Sequence, residues 1–206
     1  MKRLKLDSDQ INFIGIWNLE NNELCKDIIN FFETNIDLQK DGTTGDGKKT
    51  ELKKTTDINI HPNNLKEEKF VHIKNYIKSL HNCYLDYQEQ WPFLKDKINT
   101  VDIPTFNIQR YNPGDHFSHI HTERSSLNSL HRVFAWMTYL NNVDDGGNTH
   151  FTHYDLKIKP EIGKTLIWPA EWTHAHRGEI LNNGVKYIIT GWMHFPTNLN
   201  LSKTQT

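Results

Sequence analysis

The chain has 206 residues, enough for one domain that buries roughly 70% of its unfolded surface and needs no covalent staples. Hydrophobic residues make up 36% and charged residues 24%, and 6 Trp, 7 Tyr and 10 Phe exclude global disorder. A formal charge of -1 excludes a strong cationic field, so neither nucleic acid nor a membrane surface is an expected partner.

The opening MKRLKLDSDQINFIGIW turns polar where a signal peptide needs its apolar core, and no window approaches ~18 apolar residues. The expectation is a cytoplasmic protein. Residues 11–17 predict a strand rich in Ile and aromatics. Glu23–Phe32 predict a helix after the start signal Asn21-Asn22, with Leu24, Ile28, Ile29 and Phe32 on one face. Cys25 and Cys83 are too few for a disulfide scaffold, and both fall in helix-like sequence as buried free thiols. Residues 37–50 form a polar stretch with Gly42, Gly45 and Gly47. Lys48, Lys49, Lys53 and Lys54 alternate there with Asp46 and Glu51, which predicts a solvated surface and a mobile loop over 37–56.

A short strand is expected at 57–60, and one long helix over 65–90, ended by Pro92 and carrying Phe70, Ile73, Ile77, Leu80, Tyr84 and Tyr87 as a core stripe. From about Ile103 the pattern changes to short β-type runs: FNIQRY, HFSHIHTE, VFAWMTYL, THFTHY, DLKIK, KTLIWP, THAHRGEI and VKYIITGWMHF. Turn signals such as Asn112-Pro113-Gly114 and Asp145-Gly146-Gly147 separate them. This is a mainly β chain with N-terminal helices and a jelly-roll core. The layout is a single domain over 1–206. Residues 1–102 give helical support, 103–195 the β-core and 196–206 a frayed tail.

Of 12 histidines, nine lie between His116 and His194. In His121-Thr122-Glu123, read as strand, residues two apart face one way at about 6–7 Å, so imidazole and carboxylate can converge on one cation. A second histidine from a distant strand would complete a two-His, one-carboxylate triad, which leaves positions open on Fe(II). His174 and His176 are both candidates, since they too share a strand face. His119 shares the face of His121. His150 and His153 point to opposite faces of one strand and cannot both serve one site.

Taken together, Tyr111-Asn112-Pro113-Gly114, His121-x-Glu123, Tyr139-Leu140-Asn141, Gly146-Gly147-x-Thr149-x-Phe151, His176-x-Gly178, Lys186 and Trp192 resemble the Fe(II)/2-oxoglutarate dioxygenase superfamily, in particular its prolyl 4-hydroxylase-like branch. The resemblance covers residues 103–195 and implies a double-stranded β-helix core. It implies that His121, Glu123 and His176 hold the iron, because the family separates distal histidine and co-substrate anchor by nine or ten residues, and His176 to Lys186 is ten (186 − 176). Lys186 would then pair with the far carboxylate of 2-oxoglutarate, Tyr111 and Tyr139 would donate hydrogen bonds to it, and Thr190 would line the same pocket. Trp192 continues that strand face, as core or as site. His174 would sit behind the ligand His176 or at the rim. Many members carry Asp where this chain has Glu123. The implied cofactors are Fe(II) and 2-oxoglutarate, with ascorbate a candidate accessory reductant. The implied reaction hydroxylates a C–H bond, with succinate and CO2 as co-products, and a peptidyl proline is the expected substrate. The alternatives are the same chemistry on a free amino acid, another small metabolite or an alkylated nucleobase, and a non-catalytic jelly-roll binding module with a structural metal. The binding module leaves Lys186, Tyr111 and Tyr139 unexplained together.

Overall fold

Side chains alternate along Arg132–Tyr139, and that alternation organises the molecule into layers. Phe134 and Trp136 point to one buried cluster, while Ala135, Met137 and Tyr139 point to another. The computed structural model describes residues 1–6, 11–43 and 51–196. In chain order its elements are β1 (Lys2–Arg3), β2 (Gly15–Asn18), α1 (Asn22–Thr34), β3 (Lys40–Asp41), β4 (Thr56–Ile60), α2 (Val71–Gln90), α3 (Pro92–Lys97), β5 (Phe106–Tyr111), β6 (Phe117–His121), β7 (Arg132–Tyr139), β8 (Thr149–Phe151), β9 (Leu156–Ile158), β10 (Lys164–Pro169), β11 (His176–Gly178) and β12 (Lys186–His194).

The strands pair antiparallel into two sheets. An eight-stranded sheet runs β1-β2-β10-β7-β12-β5-β4-β3, and a four-stranded sheet runs β6-β11-β8-β9. This is the jelly-roll core expected from the sequence. One face of the large sheet carries α1 and α2, through Leu24, Ile28 and Phe32 of the first helix and Ile73, Tyr76, Leu80 and Tyr84 of the second. The other face meets the small sheet over Tyr111, Tyr139, Phe151, Leu166, Trp168 and Ile188. Each such side chain contributes about 1.5–3 kcal/mol by leaving water. Gly191 of β12 allows the close packing of the helix-side layer, because a Cβ there would stand 2.7 Å from Phe106 Cβ and 2.8 Å from Trp136.

Several expectations need correction. The N-terminal half is not only helical support, since β1 and β2 form one edge of the large sheet and β4 and β3 the other. The strand expected at 11–17 begins at Gly15, because the Asn12 side chain accepts from the Ile14 amide and Phe13 takes a left-handed φ of 54°. The long helix starts at Val71 rather than 65. Two 3-10 turns, Pro62–Lys66 and Glu68–Phe70, precede it, the first capped by His61. The long helix ends at Gln90, as expected ahead of Pro92, and Pro92 opens the short α3 after the break at Trp91. The helix start at Asn21 holds: its side chain accepts from the Leu24 amide at 3.1 Å. THFTHY stops being strand at Phe151, and His153 lies in the 3-10 turn Thr152–Tyr154, so His150 and His153 do not share a strand. Cys25 and Cys83 are buried free thiols, as expected.

The loop expected over 37–56 is built differently from a solvated surface. Residues 44–50 lie outside the described residues, as does 197–206 of the expected tail. Lys53 is buried, however, with its Nζ 2.7 Å from Asp57 Oδ2, and the Thr55 hydroxyl donates to Asp57 Oδ1 at 2.7 Å. No helix among the described residues is long and apolar enough to cross a membrane.

Candidate active site

The small sheet brings the sequence-distant histidines together. β11 pairs antiparallel with β6, and His176 is the direct cross-strand partner of His121. β6 ends at His121, so Glu123 lies just past the strand rather than inside it. Its placement depends on tertiary bonds: Arg132 Nη1 donates to the Glu123 carbonyl at 2.7 Å, and the Thr122 hydroxyl and the Arg124 amide both donate to the Ala170 carbonyl at 3.0 Å. Glu123 Oε1 then stands 3.3 Å from His176 Nε2 and 3.9 Å from His121 Nε2. One ligand atom from each of the three residues lies within 4.8 Å of the others, close enough to hold a metal ion.

The imidazoles are oriented by the backbone. His121 Nδ1 faces the His119 carbonyl at 2.9 Å, and His176 Nδ1 faces the His174 carbonyl at 2.9 Å. A carbonyl can only accept, so each Nδ1 carries the proton and each Nε2 presents its lone pair to the centre of the cluster. Phe117 stacks on His121 at 3.9 Å between centroids, and Phe151 and Trp168 flank His176. Burial and the neighbouring His176 ring hold the His121 imidazole down at about 4. Burial works against ionising Glu123, yet His176, His121 and the Trp192 N–H together bring its carboxyl down to about 2. A carboxylate beside two imidazoles that turn their Nε2 atoms towards it is a donor set suited to Fe(II).

His174 does not join this cluster. Its ring turns away, with Nε2 2.7 Å from the Asn12 carbonyl and Nδ1 3.0 Å from the Thr173 hydroxyl. Of the two places expected for it, it takes the one behind the ligand rather than the rim: it is buried, and its backbone carbonyl faces His176 Nδ1.

The large sheet carries the residues expected to bind the co-substrate. Lys186 opens β12 and pairs across the ladder with Tyr111 of β5. It is only 3% exposed. Its ammonium lies 4.1 Å from the Tyr111 ring centroid and donates to the Gly147 carbonyl at 2.9 Å, and no carboxylate among the described residues pairs with it. Gly147, at φ 67°, takes a conformation that favours glycine, and a Cβ there would crowd the Lys186 side chain. Burial lowers the lysine from 10.5 to about 7. A cation enclosed without an anion is costly, and a negatively charged ligand would offset that cost.

The other expected site residues are near but committed. The Tyr111 hydroxyl donates to Gln109 Oε1 at 2.8 Å, and Gln109 in turn donates to Asp57 at 3.3 Å. This chain from Lys53 to Tyr111 was missed in the sequence reading. Gln109 stands two residues before Tyr111 on the same strand face, so alternation alone pointed to it. Tyr139 donates to the Thr149 hydroxyl at 2.6 Å, with the Ile158 carbonyl at 3.2 Å. The Thr190 hydroxyl donates to the Trp136 carbonyl at 2.8 Å. Trp192, two residues on, reaches the metal-side cluster with an Nε1 to Glu123 Oε2 bond of 2.6 Å.

Residues 106–194 match the profile of the 2OG-Fe(II) oxygenase superfamily. Over those residues, which make up the β-core, the chain is similar to this superfamily. That likeness implies Fe(II) and 2-oxoglutarate as cofactors, and the His-His-Glu donor set and the unpaired Lys186 fit both. No curated protein matches the chain in sequence. Among solved structures its fold resembles three prolyl hydroxylases. A viral collagen prolyl hydroxylase from Paramecium Bursaria Chlorella virus-1, in complex with 2OG, aligns at a TM-score of 0.63 and 16% identity over 90% of this chain and 97% of that one. A Pseudomonas putida prolyl-4-hydroxylase aligns at 0.68 and 14% over 90% and 94%. A Trichoplax adhaerens prolyl hydroxylase, in complex with a hypoxia inducible factor oxygen degradation domain peptide fragment, aligns at 0.68 and 15% over 89% and 84%.

Proposed function

We propose that this protein hydroxylates a prolyl residue in a peptide or protein, with His121, Glu123 and His176 holding the iron and Lys186 binding the far carboxylate of 2-oxoglutarate. The observation that carries the reading is the pairing of a cluster whose two Nε2 lone pairs point inward with a buried lysine that lacks a counter-anion. When bound, Fe(II) and 2-oxoglutarate would activate O2: one oxygen atom would enter the C–H bond as hydroxyl and the other would enter succinate as 2-oxoglutarate loses CO2. The chain itself does the positioning. The backbone carbonyls of His119 and His174 fix the tautomers, the row Lys186, Ile188, Thr190 and Trp192 forms one wall, and Phe151 and Trp168 exclude water around His176.

Tyr111 shields the Lys186 ammonium with its ring. Its hydroxyl proton is directed at Gln109, so donation to the co-substrate requires that proton to turn from Gln109 to the new acceptor. A peptidyl proline is favoured by the likeness in fold to prolyl hydroxylases and by Trp172, an exposed indole four residues before His176 that can stack on a pyrrolidine ring. Succinate release is the test, measured with proline-containing peptides, with free amino acids and small metabolites, and with alkylated oligonucleotides, each with and without ascorbate. Peptide-stimulated, chelator-sensitive succinate release is expected. Stimulation by a free amino acid instead would move the substrate, and no 2-oxoglutarate turnover under any condition would leave the binding-module reading.

A further inference from the structure

A glutamate reaches its metal through one more rotatable bond than an aspartate, so its carboxylate is free to swing unless something holds it. In this protein the two oxygens of Glu123 have different neighbours. Oε1 faces the two imidazoles, and Oε2 accepts from Trp192 Nε1 at 2.6 Å. Arg132 closes the arrangement: its Nη1 holds the Glu123 carbonyl, and its guanidinium carbon lies 3.7 Å from the indole centroid of Trp192. The indole, the guanidinium and the glutamate thus form one interlocked group drawn from β12, the start of β7 and the segment after β6.

This bond is not a routine consequence of burying tryptophan. The buried Nε1 atoms of Trp136 and Trp168 have no protein partner, so the fold tolerates unpaired indoles elsewhere. At Trp192 the N–H meets the oxygen that the imidazoles do not face. We propose that Trp192, backed by Arg132, is a positioning residue that leaves Glu123 a single oxygen for the metal. With Oε2 held by the indole, the carboxylate cannot swing to chelate with both oxygens. It fills one coordination position, and the remaining ones stay open for ligands that the reaction needs. Trp192 therefore restrains the extra methylene that a glutamate has over an aspartate. The inference rests on the proposed metal-binding role of the cluster.

The test uses Co(II) alone as a visible probe ion, with affinity, absorption spectrum and melting temperature measured for the full chain. Wild type is expected to bind one Co(II) and His176→Ala none. Trp192→Phe keeps the ring and removes the N–H. It should bind Co(II) about 10–100-fold more weakly and shift the visible band as Glu123 engages with both oxygens. Arg132→Met should change affinity and band in the same direction by a smaller factor, and it decides the matter if Trp192→Phe does not fold. In a Glu123→Asp background, adding Trp192→Phe should cost less, because the shorter carboxylate retracts from the indole. Wild-type affinity and spectrum in Trp192→Phe, whatever its melting temperature, would reduce the indole to packing and overturn the proposal. Failure of wild type to bind Co(II) would instead sink the metal-centre reading itself, and this inference with it.

Discussion

Two lysines are buried along the bonded row Asp57, Gln109 and Tyr111, Lys53 on Asp57 and Lys186 over the Tyr111 ring, and the chain treats them in opposite ways. Lys53, 5% exposed, has its counter-ion built in: Asp57 lies 2.7 Å away and is further held by Thr55 and Gln109. Lys186, 3% exposed, has a carbonyl and an aromatic face but no anion among the described residues. Desolvation penalises both ammonium groups, and only one is compensated from within. The difference teaches that burial of a lysine is not itself a functional signal. The missing partner is.

The largest expected effect that separates them is on stability. Lys53→Ala strands Asp57 as an uncompensated buried charge and should cost about 3–5 kcal/mol, read as a lower urea midpoint. Lys186→Met should do the reverse, because it removes a buried cation that has no partner, so its midpoint should rise. If both variants lose stability alike, Lys186 has a structural partner and the comparison fails.

Next comes ligand affinity. Lys186→Met should weaken 2-oxoglutarate binding by about 2–5 kcal/mol in calorimetry, since the ligand carboxylate would enter an uncharged pocket. Measured where Lys53→Ala is still folded, that variant should bind 2-oxoglutarate with an affinity near wild type. An affinity loss in Lys53→Ala that matches Lys186→Met would show that the two lysines act on one ligand.

The third contrast is in pH dependence. Lys186 sits at about 7 in the folded protein against 10.5 for an ordinary lysine. Between those values the unfolded chain carries a proton that the folded chain lacks, so stability should rise with pH across that window. Below about pH 7 both states are protonated and the full cost of the buried charge is felt. The difference between wild type and Lys186→Met should therefore shrink as pH increases, in urea melts from about pH 7 to about pH 10. Binding of 2-oxoglutarate restores the charge, so above pH 7 it should take up one proton, seen as a buffer-dependent enthalpy. A buffer-independent enthalpy would mean that Lys186 is already charged in the free protein.

The sequence made the β-core readable because alternation in β7 and β12 is regular and long. It made His121 readable through the His-x-Glu pattern and the family resemblance, since β6 is short and its burial does not alternate. It misled at Lys53, where a Lys/Asp/Glu pattern among glycines looks solvated, because burial there is decided by the ladder pairing of Asp57 with Gln109, far along the chain. The residues alone also left His174 and His176 open. What separates them is a bond between the His174 ring and the Asn12 carbonyl, 162 residues away, which no local pattern encodes. Glu123 was expected within a strand. It lies beyond the strand end and is held by Arg132 and Trp192, side chains whose spacing to it carries no local signal.

The central claim is that one site joins the His121, Glu123 and His176 cluster to the Lys186 pocket across a single 2-oxoglutarate. Anaerobic titration of Fe(II)-loaded protein with 2-oxoglutarate tests it most directly, by following the visible charge-transfer band of the chelate. Wild type and His174→Ala should develop the band, His176→Ala should not, and Lys186→Met should develop it only at much higher 2-oxoglutarate. A band that persists in His176→Ala, or that saturates in Lys186→Met at the wild-type concentration, would contradict the account.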